Sequence, residues 1–407
     1  MGGTTAKTGL IRDGKPRMAS EFYADQLREG RNMGGYAIRS PVLELLEIGA
    51  GGGSIAWIDE VGVVKVGPRS AGALPGPACY CRGGTHPTVT DAHAVIGTLS
   101  APALQRSGIE FDREKAVAAI ETHIAKPLGW PLARAAYAII DIAVANMVGM
   151  MRLATTQRGI DPRNFVIVST GGAGPLHATA VGKEIGVQEV IVPPYPGMFS
   201  ALGAILGAVR HEFVRSVLEL VNTLGSEDIK DGFADLHAQA ERLLQSEPRS
   251  DHPPCFQRSI EARFFGQLHQ LSIPIVDDED TQPERIETAF RAIYTREYGF
   301  DLPQAIVQIV NLRLTVLLEI GTHATGLFMT CGPSTRDLSP SRWTRFITRD
   351  GREDSLPIYS VEGAGSGSIT GPALIEHAGS TVWIHAGQSA VTGKAGEVIV
   401  MVGRNTC

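Results

Sequence analysis

The stretch NFVIVSTGGAGPLHATAVGKEIGVQEVIVPP, residues 164–194, constrains this chain more than any other. An apolar run, a glycine-rich turn, a helical period ending at Gly186 and a second apolar run follow one another there. That order reads as an α/β unit, with the glycine loop at the carboxyl end of the first strand. Ligands bind at that end of such sheets.

The flanking sequence changes period several times. From Met1 to about Gly97, short apolar runs broken by glycine read as hairpin-rich β structure. From Asp112, REKAVAAIETHIAK and PLARAAYAIIDIAVANMVGMMRLATTQRG carry apolar residues at three- and four-residue steps, so both read as helices. The second is long and mostly buried, and Gly159 with Asp161-Pro162 stops it. PGMFSALGAILGAVRHEF reads as a small-residue helix or turn, and Val217 to Ser250 as a charged amphipathic helix before an SDHPP linker. SIEARFFGQLHQLSIPI, PERIETAFRAIYTREYGF and QAIVQIVNLRLTVLLEI give the β-α-β order of a small α+β domain, with Tyr298 and Phe300 capping its helix. Residues from about Gly321 to Asp354 read as an exposed connection, and the tail as short strands forming a small β-barrel or sandwich cap. The expected boundaries are 1–216, 217–320 and 321–407.

Composition narrows the partners. A length of 407 residues allows two or three domains, and 47 glycines against 6% aromatics describe a loop-rich, backbone-driven protein. A net charge of -6 without a basic run argues against nucleic acid and against an anionic membrane surface. No uninterrupted apolar run reaches about 18 residues, and the start lacks a secretory pattern, so the expected compartment is the cytoplasm. The five cysteines (Cys79, Cys81, Cys255, Cys331, Cys407) include no C-x-x-C pair, which suits a reducing compartment. Cys79 and Cys81 read as loop thiols, with a metal or redox role as the alternative.

Three glycine loops stand out: Gly2-Gly3-Thr4-Thr5, Gly51-Gly52-Gly53-Ser54 and Gly171-Gly172-Ala173-Gly174. Glycine lets backbone N–H groups approach an anion, and a neighbouring hydroxyl adds a donor. Each loop reads equally as a tight structural turn. None matches the Walker pattern or the dinucleotide G-x-G-x-x-G, and neither G-x-S-x-G nor H-E-x-x-H occurs, which leaves P-loop, Rossmann, serine-hydrolase and zincin chemistry without support.

The runs DPRNFVIVSTGGAGPLHA, VIVPPYPGMFSALGAILGAVRHEF and GPRSAGALPGPACYCRGGTHPTVTDAHAVIGTL resemble the A subunit of the ATP-dependent hydantoinase/oxoprolinase family, which includes nucleotide-binding subunits of ketone carboxylases. The similarity extends from MGGTT to the closing GPALIEHAGSTVWIHAG. The resemblance implies an α/β fold: part of an actin/heat-shock-protein/sugar-kinase (ASKHA) nucleotide-binding lobe, plus a small α+β domain and a C-terminal β-rich cap. Family members carry a first lobe with its own D-x-G-G-T hairpin, and their second hairpin reads D-M-G-G-T. The chain is therefore expected to be an N-terminally truncated form beginning at the Met of that second motif, its activity alone in question.

Residue by residue, the resemblance makes Gly2, Gly3, Thr4, Thr5, Gly171, Gly172 and Gly174 the nucleotide-binding set, with Lys7 a weaker member. Asp91, in PTVTDAH, is the candidate catalytic and Mg²⁺-binding carboxylate; capping the following helix is the competing reading. His177 is a second catalytic candidate, able to donate to phosphate or bind a metal, or else a packed histidine. His93 reads as an ordinary helix residue. Arg69 and Ser70 lie in a Gly/Pro-rich loop suited to substrate or subunit contact.

The implied activity uses ATP and Mg²⁺ to activate a stable carbonyl, opening a cyclic amide such as hydantoin or 5-oxoproline in company with a B-type subunit. A ketone carboxylase subunit and an inactive binding module are the alternatives. A kinase of the same superfold fits the PTVTDAH and GPRSAGALPGP runs less well.

Overall fold

The long apolar period forms the helix Leu132–Ala154, and the first core is built around it. Its buried stripe, including Ala136, Ile139, Ile140, Ala143 and Met147, repeats at three- and four-residue steps. Arg134, Asp141 and Asn146 interrupt the apolar run. Extended to Arg158, this helix is nonetheless long and apolar enough to cross a membrane by length and composition, which a search for unbroken runs misses. Here its apolar stripe is spent on the protein core.

The computed structural model describes residues 1–19, 22–24, 36–38, 42–105, 108–247, 252–318, 339–360, 367–393 and 395–403. Two compact units emerge, one of Met1–Leu202 with Thr325–Cys407, the other of Gly203–Ala324.

In the first unit, the strand Ala6–Gly9 pairs antiparallel with Leu45–Ile48, and Ser54–Ile58 with Val64–Ser70. The helix Val89–Ile96 follows, every one of its residues buried. Its start is fixed by a capping box: Thr88 accepts from the Asp91 N–H, and the Asp91 carboxylate accepts from the Thr88 N–H. Gly97 ends it in the left-handed region (φ 91°), where a Cβ would lie 2.0 Å from the Arg345 carbonyl oxygen.

The α/β unit forms as its order requires, with strand Ile167–Val168 parallel to Glu189–Val192 and the helix Gly174–Ile185 between them. The C-terminal strands do not close into a barrel of their own. Val398–Met401 pairs with Glu189–Val192, so Ser368–Thr370, Ser389–Thr392 and Val398–Met401 extend the α/β sheet to five strands. Arg342–Ile347, Glu353–Ser360, Ala373–His377 and Ser380–Ile384 form a second sheet, and a shared core of Val190, Val400, Ile375 and Ile384 joins the two. Apolar pairing partners on the earlier strand are what draw the tail in.

The expected connection is also shorter than its composition suggested. Arg342–Ile347 is a strand at the edge of its sheet, where alternate positions face solvent and tolerate Trp343 and Arg345. Residues 321–338 of that stretch lie outside the described residues.

The second unit is a four-stranded antiparallel sheet in the order Val209–Leu220, Val307–Leu318, Cys255–Phe264, Leu271–Ile275. The helices Ser226–Leu244 and Pro283–Tyr298 share its apolar core, where Phe264, Phe290 and Tyr294 meet edge to face or tilted. On the sheet, Arg313 bridges Glu212 and the buried Glu261, which also accepts from Asn311 at 2.6 Å and Gln270 at 3.0 Å. A buried carboxylate persists there because every oxygen is engaged. Val209–Leu220 was not expected as a strand; it is the sheet edge and carries Arg210, Glu212 and Arg215, which blur its alternation.

Candidate functional site

Within the first unit the glycine loops are held against one another through backbone atoms. Gly52 N–H donates to the Gly2 carbonyl at 3.0 Å, and Gly53 N–H to the Gly3 carbonyl at 2.6 Å. Gly51 lies so close that a Cβ there would sit 2.5 Å from both Gly3 O and Thr4 N. Only glycine permits that approach. Thr90, at the start of the helix Val89–Ile96, donates from both its N–H and its hydroxyl to the Gly52 carbonyl, each at 2.8 Å. The third loop meets the residue before the first, since Ala173 and Gly174 N–H donate to the Met1 carbonyl at 3.3 and 3.2 Å; Gly171 N–H also donates to the Pro196 carbonyl at 2.7 Å, and the Ser380 hydroxyl to the Gly172 carbonyl at 3.1 Å.

All three loops border one cavity of about 250 Å³. Gly2, Gly3, Gly52 and Gly172 line it together with Thr90, Tyr80, Ser380 and Thr381, while Leu99, Leu104, Ile109 and Leu176 supply apolar wall. His93 and His177, each 1% exposed, lie in its buried floor, with ring centroids 4.8 Å apart and edge to face. His93 Nδ1 meets the Thr98 hydroxyl at 2.7 Å. His93 Nε2 and both nitrogens of His177 have no hydrogen-bond partner among the described residues.

The sequence candidates thus separate. Gly2, Gly3, Gly172 and His177 reach the cavity wall. Gly171 and Gly174 shape the loop behind it, and Thr4 and Thr5 follow the first glycine pair without lining the cavity. Lys7 pairs with Glu47 at 3.1 Å on the surface. Ser70 Oγ lies 3.5 Å from Thr4 Oγ1 and accepts from Gly72 N–H, while Arg69 sits 5.7 Å from the centre of the Trp57 ring; neither lines the cavity.

Asp91 is placed differently from the expected metal or catalytic carboxylate. It is fully buried, is not a lining residue, and accepts from Ala78 N–H at 3.2 Å, Cys79 N–H at 2.8 Å, Thr88 N–H at 2.9 Å and the Thr88 hydroxyl at 2.7 Å. Those bonds tie the Gly/Pro-rich loop to the helix, so the carboxylate is spent on structure. Thr88, not Asp91, is the N-cap; Asp91 is the third residue of the box. Burial beside Asp91 pushes the Cys79 thiol up, which makes it an inert packed thiol.

The residues that sequence reasoning missed are His93, Thr90, Tyr80 and the Gly379-Ser380-Thr381 turn. The last lies inside HAGSTVWIHAG, a run quoted for resemblance but not as part of a site.

Burial governs the electrostatics here. It holds His177 down to about 3, His377 and His385 down to about 4, and His93 well below the ordinary value. All are neutral at pH 7. In the unfolded chain they protonate near 6.5, so below that value the unfolded state binds more protons than the folded one. The first unit is expected to lose stability as pH falls from 7 to 4, by up to about 3 kcal/mol per histidine. Urea midpoints measured between pH 8 and pH 4.5 check this; a flat profile contradicts it.

The glycine rim suits the phosphates of a nucleotide: the backbones of Gly2, Gly3, Gly52 and Gly172 leave no side chain in the way, and the helix Gly174–Ile185 begins beside it. A divalent cation does not fit the same wall. No carboxylate lines the cavity, and no group of three His, Cys, Asp or Glu side chains with metal-binding spacing occurs among the described residues.

Comparison with known proteins gives a consistent result. Residues 1–213 match the family model described as hydantoinase/oxoprolinase. The caprolactamase subunit alpha of Pseudomonas jessenii is 32% identical over 402 residues, covering 95% of this chain and 55% of that protein. The acetophenone carboxylase gamma subunit of Aromatoleum aromaticum is 36% identical over 251 residues, covering 59% of this chain and 34% of that protein. The crystal structure of the ATP-dependent caprolactamase from Pseudomonas jessenii superposes with a TM-score of 0.78 at 28% identity, over 99% of this chain and 58% of that one. The chain spans about half the length of caprolactamase subunit alpha, and the 59% of it that matches the acetophenone carboxylase subunit covers about a third of that protein.

Proposed function

The chain belongs to the hydantoinase/oxoprolinase family, and from that premise we propose that it is the A-type portion of an ATP-dependent enzyme opening a cyclic amide such as a hydantoin, a lactam or 5-oxoproline. The observation that carries this reading is the meeting of Gly2, Gly3, Gly52 and Gly172 around one cavity whose floor holds two uncharged imidazoles. A glycine rim suited to phosphate then borders a pocket walled in part by Leu99, Leu104, Ile109 and Leu176, which suits the positioning of a neutral carbonyl compound.

ATP bound at the rim would supply the phosphoryl group that makes an unreactive carbonyl electrophilic. The chain's own share is positioning. Gly51 and Gly52 hold the first loop through backbone contacts, Thr90 locks Gly52, and Ser380 fixes the third loop. The antiparallel pair Ala6–Gly9 and Leu45–Ile48 that follows the first loop, with the strand–glycine–helix unit further on, supports a reading as part of the ASKHA superfold. The relatives' designation as subunits supports assembly with a B-type partner.

A ketone carboxylase subunit is the second reading, favoured by the acetophenone carboxylase relative. The two separate in an assay of ATP turnover with a B-type subunit present. Stimulation at least tenfold by a hydantoin or lactam is expected. Stimulation only by a ketone with bicarbonate would assign the second reading, and stimulation by neither would remove both.

A further inference from the structure

The floor of the cavity poses a problem of hydrogen-bond accounting. His177 has two ring nitrogens and His93 has one that no protein atom satisfies, and all three are shut away from water. A buried polar atom left in this state costs roughly 1–3 kcal/mol. A neutral imidazole always presents one N–H and one lone pair. Thr98 engages His93 Nδ1 at 2.7 Å and so gives Nε2 a single role, while His177, with no such neighbour, is free to adopt the complementary tautomer. His177 therefore presents one donor and one acceptor, and His93 one further group of a single kind, on two residues that line the same cavity. The other walls there, Leu99, Leu104, Ile109 and Leu176, are hydrocarbon.

We propose that His93 and His177 act together as specificity residues that recognise the N–H and C=O edge of a cyclic amide, and thereby select an amide ring over a ketone of the same shape. This rests on the amide-opening reading given above and deepens it. In a ring the amide is held cis, so its donor and acceptor lie side by side on one edge, matched by the paired imidazoles. A ketone supplies the acceptor alone and leaves one more imidazole atom unsatisfied than a cyclic amide does. Sites built on buried hydrogen-bonding groups reject ligands that lack the matching group far more strongly than apolar pockets reject an extra methylene. The depressed basicity of both rings keeps them in the uncharged form that can play both parts at neutral pH.

The test is a binding titration of the whole chain, with a non-hydrolysable ATP analogue present, using 2-piperidone, N-methyl-2-piperidone and cyclohexanone as probes. 2-Piperidone is expected to bind at least tenfold more tightly than either of the others. Its addition should also shift the imidazole ¹⁵N resonances of His93 and His177, which a purely packed pair would not show. His177→Phe and His93→Phe should each reduce the preference below threefold. The wild-type comparison stands even if those variants fold poorly. Equal affinity for the three probes, or no binding of 2-piperidone, overturns the proposal. If lactams still stimulate ATP turnover of the assembled enzyme while the N-methyl compound does so equally, this inference fails and the amide-opening reading survives. If only a ketone with bicarbonate stimulates turnover, both fail.

Discussion

Asp91→Ala is expected to destabilise the first unit by about 3–5 kcal/mol, enough to unfold much of the protein near 37 °C. The carboxylate is 0% exposed and accepts four hydrogen bonds, three from backbone N–H groups and one from the Thr88 hydroxyl. Removing it leaves those donors buried and unpaired, dissolves the capping box, and frees the Ala78–Tyr80 turn from the helix Val89–Ile96. Asp91→Asn should be nearly as damaging, because an amide NH₂ would face N–H donors where an oxygen now accepts. Urea unfolding of both variants checks the point. A metal-binding or catalytic aspartate would behave oppositely, with activity lost and the unfolding midpoint nearly unchanged; that outcome would return Asp91 to the chemistry.

Gly51→Ala is the second large effect. Its Cβ would have to occupy space 2.5 Å from the Gly3 carbonyl oxygen and the Thr4 nitrogen, both backbone atoms that no rotamer change can move. The loops must separate, and the bonds from Gly52 to Gly2 and from Gly53 to Gly3 stretch with them. A loss of about 2–3 kcal/mol in stability is expected, with at least a tenfold loss in nucleotide affinity. Gly149→Ala is the matched control. Gly149 lies exposed in the helix Leu132–Ala154 with nothing within 4 Å of its missing Cβ, so alanine there should stabilise by up to about 1 kcal/mol. Calorimetric nucleotide titrations and thermal melts of both variants decide the matter. Unchanged affinity in Gly51→Ala would mean that the close approach of the loops is irrelevant to the site.

Much of the architecture was legible because short-range pattern reports it directly. The helix Leu132–Ala154, the strand–glycine–helix unit and the helix Pro283–Tyr298 between strands of the second unit each follow from periodicity and turn residues, although SIEARFFGQLHQLSIPI, read as one strand, folds back as two, Cys255–Phe264 and Leu271–Ile275. The strand Val209–Leu220 was not legible, since at a sheet edge charged residues mask the alternation that marks a buried strand. The destination of the tail was equally hidden: nothing in VIVM says that its partner will be Glu189–Val192 and not a neighbour in sequence.

The candidate site divides along the same line. Sequence alone determined the loops themselves, because glycine content sets where a backbone can turn tightly and admit an anion, and those positions need no partner to be recognised. Only the tertiary structure decided that loops around positions 2, 52 and 172 border one cavity, that Asp91 is consumed by capping and loop bonds, and that His93 lies beside His177. The Gly52–Gly2 and Ser380–Gly172 bonds join residues 50 and 208 positions apart. Such contacts arise from how helices and sheets pack, and a periodicity of two or 3.6 residues carries no record of them.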